Sequence, residues 1–461
     1  MTDWTDLARR YDVRAPRYTS YPTAADFHDG VDASTLRSAV ERTNADPLPA
    51  PVALYLHVPF CRSLCYYCAC NKVVTRNEER AGRYAELIGI EAARLAPWLA
   101  ADRAVSQIHL GGGTPTYLSP GAIGGLIDIL DGAFPLARGE DSEWSIEIDP
   151  RTVSPEDIHA LRAIGFSRVS FGVQDLDPRV QEAINRRLEP STLGALVEAA
   201  RHSGMRSVNF DLIYGLPHQS PERFAGTLDA VTDMGPDRIA MYGYAHLPRR
   251  FRAQRLLEGD ALPAPRDRLL LLHGAITAFE AAGYDYIGMD HFARPDDALA
   301  RSRRDGTLIR NFQGYVPGPD TDLLGLGASA ISSLGNAYLQ NVRGVRDWET
   351  TVAGGRHAVE RGYVLDADDR LRRALISAVM CRDTVVFADF ENHFDVDFHE
   401  RFGTALDRLD GAEKDGLVKR FADRLEITAR GRRFLRAIAM VFDARLHGPD
   451  TSGGALYSRA V

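Results

Sequence analysis

The sequence lacks a run of about 18 consecutive apolar residues, which is what a membrane-spanning helix needs. Its first ten residues, MTDWTDLARR, contain no apolar core of the kind that secretory signals carry. An excess of positive charge is also missing, because 55 Lys and Arg stand against 63 Asp and Glu, a formal charge of −8. This balance argues against broad binding to nucleic acid. We therefore expect a cytoplasmic, monomeric protein with neither a membrane nor a nucleic-acid partner.

A disulfide framework is absent as well. The chain has five cysteines, four of them between Cys61 and Cys70, with Cys381 far away. An odd number of cysteines concentrated in ten residues does not fit paired bridges. In an enzyme of the cytoplasm such a group indicates metal binding or catalysis.

Short β-rich runs alternate with helical patterns over a large part of the chain. The predicted strands are 53–58, 105–110, 144–149, 168–173, 206–215 and 237–244, and the predicted helices between them are 78–101, 119–131, 154–164, 191–203 and 221–234. This alternation predicts an α/β fold with a parallel sheet, either open or barrel-like. We expect an N-terminal extension over 1–50, a catalytic region over 51–350, and a small helical, winged-helix-like domain over 360–461 that covers the active site.

Residues that can carry chemistry follow these strands where each strand ends. Because the carboxyl ends of parallel strands meet at one edge, we expect these residues to lie close together. They are the cysteine loop after the first strand, GGGTP after the second, Glu147 and Asp149 at the end of the third, Gln174 after the fourth, Asp211 within the fifth and Ala245 after the sixth.

The segment HVPFCRSLCYYCACNK, residues 57–72, has the spacing C-x3-C-x2-C. Thiolates are the soft ligands that hold zinc or iron–sulfur clusters. A structural zinc ion takes four protein ligands, which Cys70 or His57 would have to complete. Three cysteines instead leave one iron of a four-iron cluster open, and we favour this interpretation because an open metal position marks a reactive site.

Two further patterns point to a bound ligand. Gly111, Gly112 and Gly113 have no Cβ, so the backbone can approach a ligand closely, although a glycine run alone also suits a tight turn. Glu147 can accept hydrogen bonds from an amine or a ribose. Asp211 lies among apolar residues, where a carboxylate is costly unless it is paired, so we expect a ligand or an arginine partner such as Arg186.

With its aromatic Tyr67 beside the third cysteine, the loop resembles that of the radical S-adenosylmethionine (SAM) enzymes. The resemblance narrows because several longer motifs occur in order. They are APRYTSYPTA, Y-x-H-x-P-F-C ending in CACNK, HLGGGTPTYL, IEIDPR, GVQD, DLIYGLP, YAHLP, GMDHFARPDDALA, NFQGY and DLLGLGASAIS. Together they resemble the family of oxygen-independent coproporphyrinogen III oxidases (coproporphyrinogen dehydrogenases) over nearly the whole chain.

The resemblance implies an incomplete (β/α)6 barrel, a [4Fe–4S] cluster and two SAM molecules. The implied cluster ligands are Cys61, Cys65 and Cys68. The implied contacts of the first SAM are Tyr55, Gly112, Glu147 and Ile331, and those of the second are Tyr67, Gly113, Thr114, Gln174, Arg186, Asp211 and Ala245. Residues implied to act in catalysis or to line the pocket are Tyr55, His57, Cys70 and Gln313.

The implied reaction is the anaerobic decarboxylation of two propionates of coproporphyrinogen III to vinyl groups in haem biosynthesis. The implied electron donor is a protein such as flavodoxin or ferredoxin. Arginine suits carboxylate recognition, and the candidate propionate anchors are Arg17, Arg249, Arg250, Arg294 and Arg310. The alternatives are a haem chaperone of the same superfamily, another radical SAM enzyme acting on a tetrapyrrole, and a DNA-binding regulator that uses the basic tail.

Overall fold

The computed structural model describes residues 2–140, 142–447 and 457–459. Its strands are β1 Val52–Val58, β2 Phe60–Cys61, β3 Val73–Val74, β4 Val105–Gly112, β5 Glu143–Ile148, β6 Arg168–Gln174, β7 Ser207–Tyr214, β8 Arg238–Gly243, β9 Asp285–Gly288, β10 His291–Ala293, β11 Leu308–Asn311, β12 Gly314–Pro317, β13 Asp322–Leu326, β14 Ile331–Leu334, β15 Ala337–Asn341, β16 Val359–Val364, β17 Thr384–Val386, β18 Val418–Arg420 and β19 Arg424–Ile427.

The α-helices are α1 Thr2–Tyr11, α2 Ala33–Asn44, α3 Glu78–Leu95, α4 Pro120–Ala133, α5 Pro155–Ile164, α6 Pro178–Ala183, α7 Pro190–His202, α8 Pro221–Met234, α9 Pro265–Ala281, α10 Ala298–Arg304, α11 Val345–Ala353, α12 Ala367–Cys381, α13 Phe387–Phe394, α14 Phe398–Asp407, α15 Asp410–Lys414 and α16 Leu435–Ala439. None of the helices in the described part of the chain is both long and apolar enough to cross a membrane.

Contacts divide the chain into two compact units. The first, here called the sheet unit, consists of Phe27–Pro263 and Asp320–Val364. The second, here called the helical unit, consists of the described parts of Met1–Asp26, Ala264–Pro319 and Leu365–Val461. The three consecutive domains expected from the sequence, and a C-terminal domain covering the active site, stay predictions.

The sheet unit is built on a long row of parallel strands. Strands β13, β1, β4, β5, β6, β7 and β8 pair in that order, each parallel to the next. On its other side β13 pairs with β14, and β14, β15 and β16 continue antiparallel. Because β13 pairs with β14 and not with β8, the row does not close on itself. The prediction of an incomplete α/β barrel is confirmed.

Helices follow β1 and β4 to β7, as the alternating pattern predicts. A capping residue followed by proline opens four of them, at Ser119–Pro120, Ser154–Pro155, Asp177–Pro178 and Ser220–Pro221. The cap side chain accepts a hydrogen bond from a free backbone N–H, and proline suits the first helical position because it lacks one. Helix α3 ends at Leu95 and not at 101, because Pro97 has no N–H to continue the helical hydrogen bonds, and a short 3-10 turn, Ala96–Trp98, follows.

The helical unit contains two hairpins and a small antiparallel sheet. Strands β9 and β10 pair antiparallel, as do β11 and β12. Strands β17, β19 and β18 form a three-stranded sheet next to α12 to α15 in sequence. The segment 398–414 forms two helices, α14 and α15. Elements that the sequence analysis did not predict include α1, α2, α6, α13 and β17.

A buried carboxylate ties α3 to the turn after β13. Glu91 is 5% exposed, and its Oε2 accepts from the Gly327 N–H at 2.7 Å. Its Oε1 accepts from Asn341 Nδ2 at 2.8 Å and from Trp348 Nε1 at 3.3 Å. Burial raises the pKa of Glu91 to about 7, although these three donors oppose the rise. The turn that Glu91 holds, at Gly327, also contacts the backbone of His57 on β1.

We predict that Glu91→Gln destabilises the sheet unit. At pH 8 Glu91 is largely ionised and accepts from all three N–H donors. An amide side chain turns its own NH2 group toward at least one of these donors, which then loses its acceptor. The expected loss in the free energy of unfolding is about 1–3 kcal/mol. Urea denaturation should show a lower midpoint, and the Gly327 amide should exchange with deuterium faster. The exposed Glu86 on the same helix offers a control, because Glu86→Gln should change neither quantity. Equal stability of wild type and Glu91→Gln would contradict this assignment.

Candidate active site

The cysteine loop, residues 59–77, is fixed to the edge of the sheet at both ends. Strands β2 and β3 pair in parallel within it, so the loop folds back on itself. The Val73 N–H donates to the Pro59 carbonyl at 2.7 Å, and the Thr75 N–H donates to the Cys61 carbonyl at 3.0 Å. The backbone of the loop is therefore ordered by its own hydrogen bonds, which fix the positions of the cysteines.

Neighbouring elements hold the middle of the loop. The Tyr66 N–H donates to the Ile184 carbonyl at 3.1 Å, and Asn185 Nδ2 donates to the Leu64 carbonyl at 2.8 Å. The buried Gln254 donates through Nε2 to the carbonyls of Tyr67, at 2.9 Å, and Ala245, at 3.2 Å. Ala245 therefore contributes backbone to the support of the loop.

A cavity of about 280 Å³ lies at the carboxyl ends of the parallel strands. The expected convergence is found here, because twelve of the predicted site residues line it. They are Cys61, Cys65, Tyr67, Cys68, Cys70, Gly112, Gly113, Thr114, Glu147, Gln174, Arg186 and Asp211. Gln174 has a left-handed backbone conformation, φ +70°, beside a register shift in β6, and such strain in a non-glycine residue is typical of functional sites.

Two arginines reach one of the thiols. Arg186 Nη1 lies 3.4 Å from Cys65 Sγ, and Arg151 Nη2 lies 3.6 Å from the same sulfur. Both guanidinium groups also donate to Asp149, at 3.2 Å and 2.6 Å. Burial would raise the pKa of Asp149, but the two arginines hold it below its usual value. The partner of Arg186 is thus Asp149 and not Asp211, because the guanidinium lies on the side of β5 where the cysteine loop packs.

Asp211 lines the cavity and forms no ion pair with an arginine in the described part of the chain. Its Oδ2 accepts from Ser170 Oγ at 2.8 Å and its Oδ1 from Asn209 Nδ2 at 3.0 Å. Burial and the nearby charge of Glu147 raise the pKa of Asp211 to about 6, against the lowering effect of these two donors. A carboxylate in this position is ready to accept a cationic ligand.

Glu147 also lines the cavity, and its carboxylate stays ionised to lower pH than that of Asp211. Burial opposes its charge, but His109 and the Gly112 N–H, which donates to Oε2 at 3.1 Å, bring its pKa below the usual value. His109 Nε2 lies 3.4 Å from Glu147 Oε1, and His109 Nδ1 lies 2.6 Å from Ser145 Oγ. His109 therefore orients Glu147.

Tyr55 and His57 share the same strand and contact each other. Tyr55 Oη lies 3.0 Å from His57 Nδ1, and His57 Nε2 lies 3.0 Å from the Asn71 carbonyl. Tyr55 also stacks on the His109 ring at 5.8 Å. Both ring nitrogens of His57 thus have protein partners, so His57 is not the fourth ligand of a zinc ion. Burial lowers the pKa of His57, which favours the neutral imidazole.

Two predicted residues lie elsewhere. Ile331 begins β14, pairs with Gln340, and packs its backbone against Gly325 of β13. Gln313 belongs to the helical unit, in the turn between β11 and β12, where its N–H donates to Asn311 Oδ1 at 2.9 Å.

The sequence analysis did not assign a role to several residues that shape the site. Arg151 and His109 stand in the motifs IEIDPR and HLGGGTP, which were the available signals for them. Lys72, Ser170 and Tyr242 also line the cavity. Lys72 ends the CACNK motif, which was the signal for it, whereas Ser170 and Tyr242 lie on different strands and no motif marks them.

The donor set suits an iron–sulfur cluster. All five cysteines are free thiols, and Thr114 Oγ1 donates to Cys61 Sγ at 3.5 Å. Within the described residues, no three His, Cys, Asp or Glu side chains converge on one point as ligands of a single metal ion do. Three thiols that line one cavity, with hydrogen-bond donors aimed at two of them, fit the cluster that the loop spacing predicts.

Comparison with known proteins places the chain in a family. The radical SAM superfamily matches residues 55–231, and the HemN C-terminal domain matches residues 365–434. Oxygen-independent coproporphyrinogen III oxidase of Pseudomonas aeruginosa is 44% identical over 441 residues, covering 96% of this chain and 95% of the relative. The chain belongs to the family of oxygen-independent coproporphyrinogen III oxidases.

Other members of the family agree. The Synechocystis enzyme of that name is 39% identical over 99% of this chain and 97% of its own length. A solved structure of coproporphyrinogen III oxidase from Escherichia coli, described as a radical SAM enzyme, is 42% identical, with a TM-score of 0.88 over 94% of this chain and 99% of that one. The family implies a [4Fe–4S] cluster and SAM, and the thiols and cavity described above fit both.

We predict that Gly113→Ala disturbs the cysteine loop. A Cβ at this position would lie 2.7 Å from the backbone of Pro59, closer than real Cβ atoms approach, so the loop or the strand must shift. The variant should show a lower melting temperature and less iron bound per chain after anaerobic reconstitution. Gly125→Ala is the matched control, because a Cβ in that helical position meets no atom within 4 Å and alanine favours the helix. Full iron content in Gly113→Ala would argue against this close packing.

Proposed function

We propose that this chain converts coproporphyrinogen III to protoporphyrinogen IX without oxygen, as a step of porphyrin and haem biosynthesis. Each propionate of rings A and B would lose a hydrogen atom from its β-carbon to the 5′-deoxyadenosyl group of SAM, then lose carbon dioxide and pass one electron to an acceptor, and so become a vinyl group. The observation that carries the proposal is a single cavity that combines four thiols, a glycine edge and three carboxylates, in a chain 44% identical to such an oxidase over 96% of its length.

Cys61, Cys65 and Cys68 would hold the cluster, and Cys70 would not be a ligand. When bound, the cluster and SAM supply the radical chemistry, in which one electron splits a carbon–sulfur bond and yields a 5′-deoxyadenosyl radical. Arg186 and Arg151 would stabilise the Cys65 thiolate with charge-assisted hydrogen bonds. Thr114 would do the same for Cys61 with a neutral one.

The sheet unit would bind two molecules of SAM, in and around this cavity. Tyr55, Gly112, Glu147 and Ile331 would contact the first, and Tyr67, Gly113, Thr114, Gln174, Arg186, Asp211 and Ala245 the second. The glycine edge allows the backbone to approach a bound molecule closely. The two carboxylates, Glu147 and Asp211, complement the positive ammonium and sulfonium groups, while the aromatic and aliphatic walls exclude water.

Residues around the cofactors would complete the site. Tyr55 and His57 hold a shared proton between Oη and Nδ1, on the strand that leads into the cysteine loop. Cys70 lines the cavity beside the ligands, and Gln313 would line the substrate pocket. A flavodoxin- or ferredoxin-like donor, a monomeric state and a cytoplasmic location complete the proposal.

The product of anaerobic turnover tests the proposed reaction. Reconstituted protein with SAM, reductant and coproporphyrinogen III should form 5′-deoxyadenosine together with the mono-vinyl intermediate and protoporphyrinogen IX. Formation of deoxyadenosine without either porphyrinogen product would show that the substrate is a different molecule. Tight haem binding without decarboxylation would favour a haem chaperone.

Serine variants test the ligand set in the same preparation. Cys61→Ser, Cys65→Ser and Cys68→Ser should each lose most of the iron and sulfide, because a serine hydroxyl is a poor cluster ligand. Cys70→Ser should keep the full cluster and lose turnover. The buried Cys381 lies outside the cavity, so Cys381→Ser should keep both. Zinc in place of iron in the purified protein would contradict the cluster assignment.

We predict that SAM binding weakens as the pH falls through about 6. The pKa of Asp211 is raised to about 6, so its carboxylate is ionised above that pH and becomes protonated below it. Since only the ionised form attracts a cation, the dissociation constant should rise by up to about tenfold per pH unit below the pKa. Anaerobic calorimetry between pH 5 and 8 measures this dependence. Asp211→Asn should bind SAM weakly at every pH and lose the step near 6.

A further inference from the structure

Three of the family motifs lie outside the cavity and outside the radical SAM match. They are APRYTSYPTA at 15–24, GMDHFARP at 288–295 and NFQGY at 311–315. All three belong to the helical unit. The first contributes Arg17, the second Asp290, and the third follows directly on Arg310, the residue around which they meet.

Arg310 is a buried cation with few partners. It lies on β11, opposite Tyr315 of β12, and its guanidinium stands 4.6 Å from the Tyr315 ring. Its Nε donates to the Arg17 carbonyl at 3.0 Å. The residue is 8% exposed, and its Nη1 is buried without a hydrogen-bond partner. Nη1 is thus a strong, buried donor without an acceptor among the described residues.

The charge around Arg310 is not balanced. The nearest carboxylate is engaged elsewhere, because Asp290 Oδ2 accepts from Arg17 Nη2. Within the described part of the chain Arg310 itself forms no ion pair, and Asp290 acts on it only at longer range. Burial and Arg17 lower the pKa of Arg310, while Tyr315, Asp290 and Cys381 raise it. A buried charge without a counter-ion is unfavourable for the folded protein.

A purely structural role does not explain these features. Holding the Arg17 backbone uses Nε alone, and stacking on Tyr315 needs no charge. Arg17 is the exposed member of the group, with 34% of its side chain accessible, and Asp290 beside it has 12%. Solvent therefore reaches Arg17, whereas Arg310, whose Nε donates to the Arg17 carbonyl, is buried.

We propose that Arg310 and Arg17 form a carboxylate subsite that binds a propionate of the tetrapyrrole substrate. The carboxylate supplies the counter-ion that Arg310 lacks and accepts from Nη1, in the paired geometry that suits guanidinium groups. The inference rests on the proposed function, because it takes the substrate to carry propionates. It also explains why motifs typical of this family, and absent from the general radical SAM match, surround a buried charge.

Binding of coproporphyrin III, a stable tetracarboxylate with the same four propionates, tests the subsite on the reconstituted holoenzyme. Arg310→Met, which keeps length and removes the donors, should weaken binding at least tenfold. Arg310→Lys keeps the positive charge but loses the paired N–H donors of the guanidinium group, so its affinity for coproporphyrin III should lie between those of wild type and Arg310→Met. The tetramethyl ester of coproporphyrin III should bind wild type and Arg310→Met equally, because it offers no charged carboxylate.

Stability and kinetics separate a ligand subsite from a structural residue. Removing an uncompensated buried charge should leave the melting temperature of Arg310→Met unchanged or higher, and should raise KM for coproporphyrinogen III more than it lowers kcat. The exposed Arg304, paired with Asp285 in the same unit, supplies the control variant Arg304→Met, which should bind as wild type.

Two results would overturn the inference. Wild-type affinity for coproporphyrin III in Arg310→Met is one. The other is a fall in melting temperature accompanied by equal loss of acid and ester binding, which marks a structural role. If Arg310→Met gives either result while the wild-type enzyme turns over normally, the proposed function stands and only the subsite is refuted. If the wild-type enzyme forms no porphyrinogen product, the proposed function itself is refuted.

Discussion

The main constraint on this structure is electrostatic, because several charged side chains are buried and not all of them have a full set of partners. A carboxylate or guanidinium away from water needs a counter-charge or hydrogen bonds. Asp149 receives two arginines, and Glu91 receives three N–H donors. Asp211 receives only neutral donors, and Arg310 receives no carboxylate. Among the described residues, Asp211 and Arg310 thus lack a partner of opposite charge, which a bound ligand can supply.

The parallel sheet brings the residues of the sheet-unit cavity together at one edge. Every strand from β1 to β8 in the parallel row ends at the same edge, so residues far apart in sequence share a cavity there. The cysteine loop adds its own pairing, β2 with β3, and is held by Ile184, Asn185 and Gln254. Hydrogen bonds to two other segments, at 184–185 and at Gln254, therefore hold the backbone that carries the thiols.

The two units divide the family motifs between them. The sheet unit carries the motifs that surround the thiols and the glycine edge, which radical SAM enzymes share as a chemistry. The helical unit carries the motifs around Arg310, which suit a substrate rich in carboxylates. This division explains why a match to the general superfamily ends at residue 231 while the likeness to coproporphyrinogen III oxidases covers 96% of the chain. The proposed subsite at Arg310 assigns substrate recognition to the motifs of the helical unit and radical chemistry to those of the sheet unit.

Sequence alone determined the strand and helix alternation, the spacing of Cys61, Cys65 and Cys68, and the meeting of strand ends at one edge, because periodicity and local spacing are properties of neighbouring residues. The tertiary structure decided the partners. It paired Arg186 with Asp149 instead of Asp211, placed His109 against Glu147 and Arg151 against Cys65, and left Nη1 of Arg310 unpaired. These contacts join residues tens to hundreds of positions apart, and which side chain reaches which depends on strand order and loop packing that no local pattern encodes.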